Sequence, residues 1–202
     1  MKKTRILVAS DIHGDKGVAE KLAEKAENEN VDLVILAGDL TFMDNDAENL
    51  VDIFSKKDKP ILLLHGNHES VSTVDFLSEL YPSAVNLHGY SFIKDDLGIF
   101  GCGGANMGIS INSNQGFFDS LNRAHEKVKG LRKKIMVTHM HAYETDAEFS
   151  GFKGSSGIRK AIEEFQPDIF LSGHIHEAEG LKEKIGKTTV YSVGRKGKII
   201  EL

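Results

Sequence analysis

Short apolar runs alternate with longer amphipathic segments along most of this chain. ILVA at residues 6–9 precedes KGVAEKLAEKAENE, LVILA at 33–37 precedes DAENLVDIFSKK, and ILLL at 61–64 precedes SVSTVDFLSELY. Runs that are apolar at every position suit strands buried on both faces, and the longer segments carry apolar residues at helical spacing. Repeated strand and helix units of this kind predict a mainly parallel sheet, so the first half reads as α/β. From Ala84 to Gly104 the runs AVNL, YSFI and GIFGCG are separated only by turn residues such as His88-Gly89 and Asp95-Asp96, which predicts an antiparallel meander. A helix over Phe117 to Val128, a strand KIMVT, a helix SGIRKAIEEF and a strand DIFLS resume the alternation. The last pieces, GLKEKIG, KTTVYSV and GKIIEL, read as closing antiparallel strands. No composition shift marks a linker, and one domain is expected over 1–202.

The residues immediately after the apolar runs carry the chemistry. The runs end in Ser10-Asp11-Ile12-His13, Gly38-Asp39, Gly66-Asn67-His68-Glu69, Thr138-His139-Met140-His141 and Gly173-His174-Ile175-His176. In an open α/β sheet the carboxyl ends of parallel strands share one edge, where ligands bind, so these residues are expected to converge. The donors gathered are carboxylate, amide and imidazole with no thiolate. That set suits Mn, Fe, Co, Ni or Zn and does not suit an Fe–S cluster or Cu(I). Asp11 and His13, like His174 and His176, stand two apart, which in extended chain sends each pair to one side. The donors are too many for a single ion.

Composition narrows the function classes. Of 202 residues 40% are hydrophobic and 27% charged, an ordinary soluble balance, and the formal charge of −5 argues against broad attraction to nucleic acid. Cys102 is the single cysteine, which excludes an intrachain disulfide framework and a cysteine-based zinc finger and fits a reducing compartment. Asp11 cuts the first apolar run far short of a signal-peptide core, and no run approaches the roughly 18 apolar residues of a membrane span. A cytoplasmic chain without membrane contact is expected. GLKEKIGKT at 180–188 nearly spells a phosphate-binding loop but has one residue too many between its glycines. There is no G-x-S-x-G nucleophile elbow.

In order along the chain, DIH at 11, GD at 38, GNHE at 66, the His of VTH at 139 and GHIH at 173 resemble the blocks of the calcineurin-like metallophosphoesterase superfamily. The resemblance spans residues 5 to 176. It implies a four-layer α/β/β/α sandwich of two mixed β-sheets flanked by helices. It also implies two divalent ions, one held by Asp11, His13, Asp39 and His176 and the other by Asp39, Asn67, His139 and His174. Such a pair makes hydroxide available at neutral pH and clamps substrate oxygens. His68 follows a ligand without being one, and by the resemblance it meets the phosphoryl group as the catalytic residue. The implied activity is hydrolysis of a small phosphomonoester or phosphodiester. A nuclease of the same fold and a metal-bound scaffold without catalysis are the rival readings.

Other residues have specific expectations. Glu69 is expected to start the following helix, favoured by its dipole. Thr41, Asp44, Asp46 and Glu48 lack the glycine of a calcium loop and read as helix capping. Loops 103–116 and 140–154 are long and polar and are expected to choose the substrate. His141, Ser155 and Arg195 stand as candidates for contact with substrate or for support behind the ligands. Ser155 is also a natural helix cap, and Arg195 is expected to fall short of phosphate. Protein phosphatases that share GNHE place an arginine before it, where this chain has His65, which argues against protein dephosphorylation.

Overall fold

Strands that are apolar at every position need cover on both faces, and the chain supplies it by stacking two sheets between two layers of helices. The computed structural model describes residues 3–45, 47–55 and 59–202, with 47–49 described through their backbone alone. The first half runs β1 (Arg5–Ala9), α1 (Lys16–Asn28), β2 (Leu33–Ala37), α2 (Ala47–Ser55), β3 (Ile61–Leu64), α3 (Val71–Leu80) and β4 (Ala84–Asn86). It continues with β5 (Ser91–Lys94), β6 (Leu97–Cys102), α4 (Asn114–His125), β7 (Lys133–Thr138), α5 (Ser156–Phe165), β8 (Ile169–Ser172), β9 (Lys182–Ile185), β10 (Thr188–Ser192) and β11 (Lys198–Glu201). One sheet has the order β11-β1-β2-β3-β4 and the other β5-β6-β7-β8-β10-β9.

The period of two along each strand sorts its side chains between layers. Leu7, Leu36 and Leu63 face α1, α2 and α3, packing with Leu22, Val51 and Leu77. Ile6, Val8, Ile35 and Leu62 face the other way, against Ile99, Ile135, Val137 and Leu171 of the second sheet. Phe100, Met136 and Phe170 then meet Phe117, Leu121 and Ile158 of α4 and α5. This is the expected α/β/β/α sandwich.

The stretch Ala84 to Gly104 departs from the expected meander. β4 pairs parallel with β3 and completes a strand–helix–strand unit through α3, while β5 and β6 form an antiparallel hairpin in the other sheet. Without a helix on its far side, short AVN cannot be told from a hairpin arm by periodicity. The closing strands also divide: β9 and β10 are antiparallel, but β10 lies parallel to β8, and β11 returns to pair antiparallel with β1. α4 begins three residues before its expected start because Ser113 caps it, accepting from the Gly116 amide at 3.0 Å.

No helix among the described residues is long and apolar enough to cross a membrane. Because Ile135 is fully buried between the sheets, Ile135→Ala is expected to lower unfolding free energy by about 2–5 kcal/mol in urea denaturation. A loss under about 0.5 kcal/mol would contradict its place in that core.

Candidate metal centre

The carboxyl ends of β1, β2 and β3 meet those of β7 and β8, and their loops are stitched together by backbone hydrogen bonds. The Asp11 amide donates to the Gly38 carbonyl at 3.0 Å, the His13 amide to the Asp39 carbonyl at 2.9 Å, and the Gly173 amide to the His139 carbonyl at 2.9 Å. Asp11, His13, Asp39 and His174 all adopt positive φ, between 50° and 72°. Non-glycine residues enter that region at a cost of order 1 kcal/mol each, a pattern that concentrates at functional sites. It also removes the extended-chain premise behind the two-apart pairs: Asp11 and His13 still share one grouping, but His174 and His176 part. His174 turns toward His139 and Asp39, whereas His176, which opens a short 3-10 turn over His176–Ala178, turns toward Asp11 and His13.

Two carboxylates organise the loops. Asp39 Oδ1 accepts the amides of Asn67 at 2.8 Å and His68 at 3.0 Å. Gly66 lies so close to this oxygen that a Cβ there would collide with it. Fully buried Glu69 accepts the amides of Gly66 at 2.9 Å and Leu40 at 3.2 Å. Glu69 therefore staples the loop after β2 to the loop after β3 and does not start α3, whose cap is Ser70. Asp44 supports a helix start from across the fold, accepting the amide of the cap residue Ser70 and the hydroxyl of Thr73 in the first turn of α3. Thr41 is buried with an unpartnered hydroxyl, Asp46 lies outside the described residues, and so does the side chain of Glu48.

With Oδ1 so engaged, Asp39 Oδ2 is the oxygen left facing the imidazoles. It stands 3.3 Å from His139 Nε2, 3.8 Å from His13 Nε2 and 3.9 Å from His68 Nε2. His139 Nε2 is also 3.1 Å from Asn67 Oδ1, and its Nδ1 donates to the Ala37 carbonyl at 2.9 Å, which turns Nε2 toward the site. On the other side, His13 Nε2 and His176 Nε2 are 3.1 Å apart and His176 Nε2 is 3.5 Å from Asp11 Oδ1. Adjacent ligands about 2.1 Å from one ion are separated by about 3 Å, so these donor spacings fit metal binding. Three groupings could hold a cation among the described residues: Asp11, His13 and His176; Asp39, His139 and His174; and His13, Asp39 and His68. All seven expected ligands are thus brought together, and His68 stands among them.

The sequence model of the calcineurin-like phosphoesterase family matches residues 4–178. The chain belongs to that family. A solved structure from Thermus thermophilus is 19% identical with a TM-score of 0.77, and 98% of each chain is covered. An archaeal phosphodiesterase is 16% identical with a TM-score of 0.57, covering 98% of this chain and 100% of that one. A dimetal phosphatase from Danio rerio is 12% identical with a TM-score of 0.61, covering 95% of this chain and 88% of that one. At such identities the likeness is one of fold. No curated protein sequence matches significantly.

In this calcineurin-like phosphoesterase the site is electrostatically poised for a cation. Burial opposes ionisation of Asp11 and Asp39, yet neighbouring imidazoles and hydrogen bonds hold both carboxyls below their ordinary value. Burial favours a neutral His139, but the charge of Asp39 and its hydrogen bond outweigh it and raise His139 to about 9. Burial and the charge on His139 lower His174 to about 4. A cation entering between Asp39 and His139 would displace the imidazolium proton, so affinity should rise with pH.

A cleft of about 250 Å³ opens on these groups, with His68, Met107, Phe152 and Glu177 on its walls. His68 packs its ring on Phe42, centroids 5.1 Å apart and 26° from parallel. The remaining candidates lie off the cleft. His141 is buried and its Nε2 donates to the Phe152 carbonyl at 3.2 Å. Ser155 is buried, caps α5 through the Ile158 amide and bonds Asn114. Arg195 pairs with Asp15, the cap of α1, at 2.5 Å. Sequence reasoning missed Phe42, Met107 and Phe152, although large apolar residues inside otherwise polar loops were a usable signal.

Glu69 gives a pH test of the staple. Burial, reinforced by the charge of Asp39, pushes its carboxyl from 4.5 up to about 7, against the two amide bonds. The folded metal-free chain therefore binds this proton more tightly than the unfolded one. That contribution is complete below about pH 4.5 and is lost as pH rises through about 7. Glu69→Gln is expected to flatten the fall in stability of the metal-free protein between those values, read by urea denaturation. An unchanged pH profile would contradict a buried, proton-sharing Glu69.

Proposed function

We propose that this chain is a two-metal phosphoesterase that hydrolyses a small phosphomonoester or phosphodiester. Asp11, His13, Asp39 and His176 would hold one ion and Asp39, Asn67, His139 and His174 the other, drawn from Mn, Fe, Co, Ni or Zn. The observation that carries this reading is Asp39, whose Oδ2 lies within 3.3 Å of His139 Nε2 and 3.8 Å of His13 Nε2, between the two groups of donors. When bound, such a pair supplies a strong nucleophile from water at neutral pH and neutralises phosphoryl oxygens. The dimetal phosphatase and the phosphodiesterase of like fold support both the metals and the substrate class.

The chain's own groups do the rest. Asn67 contributes an uncharged oxygen, so only Asp11 and Asp39 offset the ions and the site stays attractive to a phosphate. His68, on the cleft wall and held between Phe42 and His13, whose ring centroids lie 5.1 and 4.9 Å from its own, is the group that would give a proton from Nε2 to the departing oxygen. Its amide bond to Asp39 ties its backbone to the ligand set.

The test is a panel of nitrophenyl phosphate, its bis ester, cyclic nucleotides and single-stranded DNA, with Mn, Ni, Fe or Zn supplied in turn. Metal-dependent turnover of at least one ester, abolished by chelation, is expected. His68→Ala should keep the bound metal and lose about 100- to 10,000-fold in turnover. Full metal content with no hydrolysis would favour the scaffold reading. Metal lost together with activity in His68→Ala would make His68 a ligand.

A further inference from the structure

We infer that the cleft selects a phosphoester whose alcohol portion is apolar, aromatic or branched, and carries no second negative charge; this rests on the phosphoesterase reading above. Three observations carry it. The first is what stands on the walls. Met107 is 41% exposed and Phe152 54% exposed, both lining the cleft with Ile175. Phe42, 56% exposed, stacks on His68 beside them. Large apolar side chains left open to water around polar catalytic groups mark a place where an apolar ligand is covered.

The second is that the backbone carrying these side chains is held. The loop bearing Met107 is fastened to the segment bearing Asn67: the Gly104 amide donates to the His65 carbonyl at 2.9 Å, the Ile109 amide to the Asn67 carbonyl at 2.9 Å, and the Ser110 hydroxyl to the Glu69 carbonyl at 2.8 Å. Gly108 sits so close to Asn67 that a Cβ would collide with it. Phe152 is fixed through its own carbonyl, which accepts from His141 Nε2 at 3.2 Å, and through the Gly154 amide bonded to Glu148 at 2.8 Å. Buried His141 thus becomes the support of an apolar wall. Preorganised walls lose little freedom when a ligand covers them.

The third is charge. Among the described residues no lysine or arginine lines the cleft, and Glu177 does. Lys153, next to Phe152, pairs with Glu148 at 3.2 Å, and Arg195 pairs with Asp15 at 2.5 Å. The phosphate would find countercharge at the metal centre, but a second phosphate or a carboxylate on the alcohol would find none and would meet Glu177. Nucleoside polyphosphates and phosphorylated sugar acids are thereby disfavoured, and a single phosphate on an apolar alcohol is favoured.

Calorimetric binding of phenylphosphonate, methylphosphonate and phosphonoacetate to the metal-loaded protein tests this without requiring turnover. Phenylphosphonate is expected to bind about tenfold tighter than methylphosphonate, and phosphonoacetate no tighter than methylphosphonate. In the Met107→Ser, Phe152→Ser double variant the phenyl advantage should fall to about twofold or less while methylphosphonate binding persists. Phe152→Leu, which keeps an apolar wall, should retain most of it. A parallel assay compares kcat/KM for benzyl phosphate and glycerol phosphate, and the benzyl ester should lead. Equal affinity for phenyl- and methylphosphonate, or tighter binding of phosphonoacetate, would overturn the inference even if hydrolysis proceeds. A preserved phenyl preference with no hydrolysis of any ester would instead defeat the phosphoesterase reading and leave the apolar selectivity standing.

Discussion

The Asp39 carboxylate divides its two oxygens between folding and chemistry. Oδ1 is taken by the amides of Asn67 and His68, which fixes the loop after β3 against the loop after β2. Oδ2 is thereby aimed at the imidazoles of His13, His68 and His139, which arrive from three other points in the chain. Buried Glu69 repeats the same connection from behind through Gly66 and Leu40. Asp39, which accepts two amide bonds beside the imidazoles, stays ionised despite burial and so also keeps the site negative and ready for cations. The strained backbone at Asp11, His13, Asp39 and His174 is tolerated because the surrounding hydrogen bonds over-determine each loop.

Much of this was legible in the sequence because it depends on period and order. Unbroken apolar runs such as LVILA predict doubly covered strands, and the polar residues that end five of them predict a shared edge. Ile6 and Leu7, adjacent in sequence and facing different cores, show how a run that looks uniform still encodes two faces. The pairing of β4 was not legible, since a three-residue strand has too little pattern to name its partner. Nor was the role of Glu69. A carboxylate one residue before a helix cap looks like a helix-dipole residue until the structure shows it turned inward. The same-side projection expected of His174 and His176 failed for a related reason, because a left-handed turn breaks the period of two that holds only in extended chain.

The substrate side follows a different logic from the metal side. The proposed ligands come from strand ends, where the sheets fix their positions, whereas Met107 and Phe152 come from the two long loops whose length suggested a functional role. Those loops are nevertheless anchored to the same framework, one through the Asn67 segment and the other through His141, two residues from His139. Under the proposed function, position of the phosphate and recognition of its alcohol would therefore be mechanically joined.

The central claim is that Asp39 links two metal sites. Metal content per chain, measured by inductively coupled plasma mass spectrometry after loading and gel filtration, tests it most directly in the wild type and in Asp39→Asn. The account predicts about two ions per wild-type chain and a loss at both sites in the variant, because the bridging charge and the orientation of His139 go together. A variant that keeps the full wild-type complement, folded and with unchanged affinity, would contradict it.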